Sequence, residues 1–208
     1  MSNRSIEIAK LLETNYPNPE TELNHKNEYQ LVISVILSAQ TTDKKVNQVT
    51  QDLFRKYPNW ERLSKADSED VEKLIREVNF YKGKSQRIIK SAQTVVEDLS
   101  GVLPKNIKGL EILPGVARKS ANVILRELWG IAEGIVVDTH VSRVSKRLGL
   151  TENKDPKKIE KDLMKIIPKK YWLNFSGSVV LHGRYVCIAR KPKCAECCLK
   201  KICPSFRE

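Results

Sequence analysis

No stretch of this chain is long and apolar enough to cross a membrane. The longest candidate, Leu31 to Leu37, runs for seven residues, against the roughly 20 that a spanning helix needs, and it reads as a buried helix segment. The first ten residues, Met1 to Lys10, lack the basic-then-apolar order of a secretory leader, so a cytosolic protein is expected. No internal repeat and no low-complexity tract occurs. Strand signals are nearly absent: the best is Ile135-Val136-Val137, only three residues. Cysteine is missing from the first 186 residues, and all five lie between Cys187 and Cys203. A chain without an export leader keeps its thiols reduced, so this cluster points to metal binding rather than to disulfides. Acidic residues are in deficit, 25 against 37 Lys and Arg, for a net charge of +12 and a pI near 9.5. A polyanion is the partner such a surplus suits.

What is present is helix almost throughout. Apolar residues recur at helical spacing in Ile6–Leu12, Tyr29–Leu37, Val46–Phe54, Val71–Val78, Ile88–Leu99, Val123–Leu128, Val141–Leu148 and Ile159–Ile167. Start and stop signals fall between them. Asp67 with Asp70 can cap the helix through Leu74 and Ile75. Gly101 follows the helix that ends near Leu99. Asp155-Pro156 is an N-cap followed by proline at the first helical position. The last 20 or so residues read as irregular. An all-α fold with short connections is expected.

The most informative segment is Leu110 to Leu125, LEILPGVARKSANVIL. A short apolar helix must stop at Pro114, which cannot continue the ladder. Gly115 can take a positive φ and turn the chain. A new helix starts near Ala117 or Arg118, and its first amides have no intrahelical partner. A helix N-terminus flanked by Arg118 and Lys119 is a phosphate site. The pattern is a helix-hairpin-helix, which grips a nucleic-acid backbone without reading bases. The bland alternative is an ordinary helical turn carrying solvated charges.

From Arg118 to Gly130 the helix would span 13 residues, about 20 Å. Gly130 and Gly134 bracket a reversal, and the five residues Gly134 to Asp138 cover roughly 16 Å when extended. That return can bring Asp138 back to the level of Lys119. An amine and a carboxylate at the end of a phosphate-binding hairpin have a chemical use. A neutral lysine attacks C1′ of a deoxynucleotide, expels the base and forms a Schiff base. The imine acidifies the neighbouring proton, and β-elimination breaks the strand. The oxocarbenium-like transition state is stabilised by a nearby carboxylate. Lysine ordinarily titrates near ~10.4, so the site must desolvate it. Taken singly, Lys119 reads as a solvated or phosphate-binding lysine. Asp138 reads as the N-cap of a helix from Thr139; it can be both cap and catalyst.

Cys187, Cys194, Cys197 and Cys203 are spaced C-x6-C-x2-C-x5-C. Four thiolates can close a zinc site or a [4Fe–4S] cluster. Spacing does not choose between the two, nor between Cys197 and Cys198 as third ligand. Arg184, Arg190, Lys191, Lys193, Lys200 and Lys201 make the segment a basic knob suited to phosphates.

Five segments together resemble the endonuclease III family of helix-hairpin-helix DNA glycosylases and abasic-site lyases. They are Leu37-Ser38-Ala39-Gln40-Thr41-Thr42-Asp43, Leu113-Pro114-Gly115-Val116-Ala117-Arg118-Lys119, Val137-Asp138-Thr139-His140, Leu181-His182-Gly183-Arg184-Tyr185 and the cysteine spacing. The likeness extends from about Tyr29 to Pro204. It implies two helical domains with a DNA cleft between them: a six-helix domain at 23–131 containing the hairpin, and 1–22 plus 132–208 carrying an iron–sulfur loop. It implies Lys119 as the Schiff-base nucleophile and Asp138 as the essential carboxylate. The implied cofactor is a [4Fe–4S] cluster on Cys187, Cys194, Cys197 and Cys203. Gln40 matches the residue that fills the gap left by a flipped-out nucleotide. Phe80 matches a wedge that enters the stack, with Tyr81 its rival, and His140 matches a phosphate-side histidine. Gly115, Val116, Ala117 and Arg118 form the backbone grip. The implied activity is removal of oxidised pyrimidines from duplex DNA, followed by strand cleavage, in base excision repair. The implied partner is double-stranded DNA holding a damaged pyrimidine or an abasic site, with no membrane, a nucleoid-associated location, and a monomer by default.

Three residues depart from the family pattern. Ala117 stands where the hairpin usually has a second glycine: helical backbone accommodates alanine, whereas a positive φ would weaken DNA binding. Phe80 is aromatic where an aliphatic wedge is common, and Cys198 is an extra thiol. Two rival functions are a mismatch-specific monofunctional glycosylase and a non-catalytic DNA-binding protein. The first carries serine or tyrosine at the nucleophile position, and the second has no use for Lys119 with Asp138.

Overall fold

The computed structural model describes residues 3–206. Eleven α-helices follow one another: α1 (Asn3–Asn15), α2 (Glu28–Ser38), α3 (Asp43–Lys56), α4 (Trp60–Ser64), α5 (Ser68–Ile75), α6 (Tyr81–Glu97), α7 (Ile107–Leu110), α8 (Arg118–Trp129), α9 (Thr139–Arg147), α10 (Pro156–Ile166) and α11 (Trp172–Tyr185). Single 3₁₀ turns lie at Lys169–Tyr171 and Cys194–Glu196. Among the described residues there is no strand. Ile135 and Val137 lie outside any regular element and are buried in a helical core; with no strand among the described residues to pair with, the apolar triplet stays a connector. No helix among the described residues is long and apolar enough to span a membrane.

Polar residues between the apolar runs set the helix starts. The side chains of Asn27, Thr42, Asn59, Asp67, Asn106, Asp138 and Asp155 each accept a hydrogen bond from an amide of the first turn. Asp67 alone caps α5, and Asp70 instead pairs with Lys56 at 2.9 Å. Gly101, at φ +79°, closes the end of α6 by donating to the Val95 carbonyl.

The chain divides into two compact units. Thr21–Trp129 holds α2 to α8, seven helical segments where six were expected. Its centre is α2, whose residues from Leu31 to Leu37 are all buried, as expected for a helix apolar on every side. The segment at α4 has no periodicity of its own. It forms because Trp60 packs edge-on against Tyr29, with ring centroids 4.9 Å apart, and Asn59 caps it. The single turn α7 ends at Leu110, four residues before Pro114. Turns closed from Leu113 to Leu110 and from Val116 to Leu113 complete the path.

The second unit is Met1–Glu20 with Gly130–Glu208. Its core joins Ile8 and Leu12 of α1, Val141 and Val144 of α9, Ile159 and Leu163 of α10, Phe175 and Val179 of α11, and Leu199 from the cysteine segment. Periodicity alone does not reveal α11. Its buried face mixes Phe175 and Val179 with Ser176, Ser178, His182 and Gly183, so no clean apolar stripe appears.

Candidate active site and cysteine centre

The hairpin is built by Gly115 and by the cap of α8. Gly115 sits at φ +93°, and a Cβ there would lie 2.9 Å from Ile36 Cγ2. Ser91 Oγ donates to the Pro114 carbonyl at 2.9 Å, tying the turn to α6. Val116 is buried and anchors the loop from below. Gly115→Ala combines a disfavoured backbone with a close contact. It is expected to cost about 2 kcal/mol of stability, read as a lowered urea midpoint at unchanged slope.

Ala117 lies outside the left-handed region, and its carbonyl accepts from Ala121 N at 2.9 Å. It is the N-cap of α8, and alanine fits there without strain. Because its side chain has no acceptor, it leaves the first-turn amides uncapped. The amides of Lys119 and Ser120 have no partner among the described residues. Lys119 is exposed, the second residue of α8, with half-buried Arg118 beside it. An amine and outward-facing donors thus share one helix end, where the helix dipole also favours an anion.

Gln40 and Phe80 occupy two neighbouring turns of the same unit. Both are non-glycine residues in the left-handed region, at φ 55° and 58°. Phe80 is 67% exposed, whereas Tyr81 begins α6 half-buried. Asn79 Nδ2 donates to the Gln40 carbonyl at 2.6 Å. Behind them Lys84 is fully buried, and its Nζ donates to the Leu37 carbonyl at 2.7 Å, the Ala39 carbonyl at 2.6 Å and Thr41 Oγ1 at 3.0 Å. Burial pushes the Lys84 amine down to about 8, helped by the nearby Arg87 charge.

In the other unit, Asp138 caps α9 through a bond from Val141 N to Oδ1 at 2.7 Å. Its second oxygen has no partner among the described residues. His140 is half-buried, with Nδ1 3.3 Å from Arg143 Nη2. Gly183 on α11 lets α9 close up, since a Cβ there would meet His140 and Arg143 atoms at 3.1–3.2 Å. Arg143 donates to the carbonyls of Gly183 at 2.8 Å and Cys187 at 3.1 Å. Arg147 donates to the carbonyls of Ile188 at 2.7 Å and Ala189 at 2.9 Å, and approaches Cys187 Sγ at 3.4 Å. The far end of α9 therefore holds the start of the cysteine segment.

Cys187, Cys194, Cys197 and Cys203 all line one cavity of about 230 Å³; Cys198 is not among its lining residues. All five cysteines are half-buried and free of disulfides. No three His, Cys, Asp or Glu side chains among the described residues close on a single ion. Fully buried His182 also lines the cavity. Its Nδ1 lies 3.0 Å from the Tyr16 hydroxyl and its Nε2 3.6 Å from Cys197 Sγ. Burial pushes the Tyr16 phenol up to about 12, with charge on Cys198 and Cys197 adding to it. The two ring nitrogens of His182 thus lie against a phenol on one side and a cysteine sulfur on the other.

Sequence reasoning did not single out Lys84, Asn79, Tyr16, Arg143 or Arg147. A lone lysine in a helix gives no signal of burial. His182 and Gly183 were visible only as part of the Leu-His-Gly-Arg-Tyr motif.

Residues 33–169 match the family described as HhH-GPD superfamily base excision DNA repair protein. Endonuclease III of Synechocystis sp. is 46% identical over 202 residues, 97% of this chain and 92% of that protein. Endonuclease III of Escherichia coli is 37% identical over 200 residues, 96% and 94% of the two chains. Among solved structures, a trapped endonuclease III–DNA covalent intermediate superposes with a TM-score of 0.90 at 37% identity, covering 99% of this chain and 97% of the other. A thermostable thymine-DNA glycosylase shares the fold, with a TM-score of 0.85 at 22% identity.

Proposed function

The chain belongs to the HhH-GPD superfamily of base excision DNA repair proteins, and within it we propose a bifunctional DNA glycosylase and abasic-site lyase that removes oxidised pyrimidines from duplex DNA. The reading rests on Lys119, an exposed amine in the first turn of a helix where the amides of Lys119 and Ser120 have no partner among the described residues and can meet phosphate. Likeness to endonuclease III along nearly the whole chain supports it.

Backbone phosphate docks on the first turn of α8, held by its amides and by Arg118. Lys119 Nζ attacks C1′, and the glycosidic electron pair leaves with the damaged base. The sugar ring opens to an imine on Nζ. Loss of a C2′ proton then expels the 3′ phosphate and cuts the strand. Asp138 stabilises the positive charge that develops at C1′; its bond to Val141 N engages one oxygen and leaves the other for this role. Gln40 and Phe80 act on the duplex, filling the gap and wedging the stack, and His140 faces phosphate.

Cys187, Cys194, Cys197 and Cys203 hold a [4Fe–4S] cluster. The cavity that all four line, about 230 Å³, leaves room for a group of several metal atoms. When bound, the cluster supplies structural cross-linking of the C-terminal segment. Arg147 directs an N–H donor at the Cys187 sulfur, and His182 Nε2 lies 3.6 Å from the Cys197 sulfur. The protein acts as a monomer, at the nucleoid.

A duplex with one thymine glycol tests the activity. The protein is expected to release the base, leave a β-elimination end, and form a covalent adduct when borohydride is present. Strand binding with neither base release nor adduct would sink the enzyme reading in favour of a DNA-binding protein. Base release without an adduct would point to a monofunctional glycosylase.

A further inference from the structure

Two exposed tips, Gln40 and Phe80, hold a backbone conformation that side chains rarely adopt. Such conformations persist only where the surroundings over-determine them. Here the surroundings are specific. Asn79 reaches from the residue before Phe80 to the carbonyl of Gln40 itself. Lys84, one turn into α6, donates to three oxygen acceptors: the Leu37 carbonyl in the last turn of α2, and Ala39 and Thr41, which flank Gln40 in the α2–α3 connection. A protonated lysine has three N–H groups, one for each acceptor. A Lys45–Glu77 ion pair joins α3 to the turn that carries Asn79. The two tips come from chain segments 40 residues apart, yet each is bonded to the other's support.

We propose that Asn79 and Lys84 are positioning residues that lock Gln40 and Phe80 into one two-pronged unit for opening the duplex. The proposal rests on the glycosylase reading given above. Neither residue touches a reacting atom. Their work is to set the spacing of the prongs, so that wedging by one and gap-filling by the other occur in the same encounter. A prong free to swing would still meet DNA, but the extruded state would be populated less often.

Asn79→Asp is the sharpest variant, because it keeps the shape and turns the donor into an acceptor facing a carbonyl. Single-turnover base release from the thymine glycol duplex is compared with elimination at an abasic site in a single strand, where there is no stack to open. The ratio of duplex to single-strand rates is expected to fall by roughly tenfold to a hundredfold. The fluorescence rise of a 2-aminopurine beside the lesion should fall with it, at unchanged thermal midpoint. Lys84→Met is expected to lower the same ratio and the thermal midpoint together; if it does not fold, Asn79→Asp decides. A duplex rate equal to wild type, or equal losses on both substrates, overturns the proposal while leaving the glycosylase reading intact. A wild-type protein inactive on both substrates overturns that reading and the proposal with it.

Discussion

Lys119→Gln is expected to form no covalent adduct with an abasic or thymine glycol duplex under borohydride, and to lose base release by roughly 10⁴-fold or more. Glutamine keeps most of the length and a hydrogen-bonding end but has no nucleophilic lone pair. The amides of residues 119 and 120 and the Arg118 side chain remain, so affinity for the duplex should change by only severalfold, as measured by anisotropy at fixed salt. The contrast between lost chemistry and kept binding is what separates a nucleophile from a phosphate-binding lysine. An adduct that survives the substitution would assign the Schiff base to another amine. A large loss of affinity with a proportionate loss of rate would make Lys119 a phosphate contact.

The second large effect is expected at the cysteines. Cys203→Ala should yield colourless protein with iron far below about four atoms per chain. The loss should be structural, because metal binding to thiolates is also folding free energy. Three of the proposed ligands, Cys187, Cys197 and Cys203, pack against the same core as α1, α9, α10 and α11, and Leu199 between them is fully buried. Losing several kcal/mol in a chain of this size lowers the thermal midpoint by about 10 °C, and the last 20 or so residues should become sensitive to protease. Cys198→Ala is the control: its side chain does not line the cavity, so iron and colour should stay. If instead Cys198→Ala loses iron and Cys197→Ala keeps it, the ligand set must be redrawn around the neighbouring thiol.

Most helices were legible in the sequence because this protein starts them with polar caps and fills them with periodic apolar residues. Asp67, Asp155 and Gly101 do in the structure what their chemistry suggests. The hairpin was legible for the same reason, since proline and glycine act on their own backbone. The misses share a cause: they depend on tertiary partners. The helix α4 exists because Trp60 finds Tyr29. The helix α11 shows no periodic apolar stripe, because His182 and Gly183 on its buried face meet Tyr16, Cys197 and α9. Within the candidate site, Gln40 and Phe80 were visible through a resemblance, but the buried amine that braces them was not. Nothing local distinguishes Lys84 from the solvated lysines around it, such as Lys82.

The nine residues of α9 span about 13 Å and carry Asp138 and His140 at one end and the cysteine-loop clamps, Arg143 and Arg147, toward the other. A short rigid rod transmits displacement at either end to the other. In the proposed reading, a change in the cysteine segment that loosened Arg143 and Arg147 would reach Asp138 along the backbone of α9 itself, with no contact between that carboxylate and the metal.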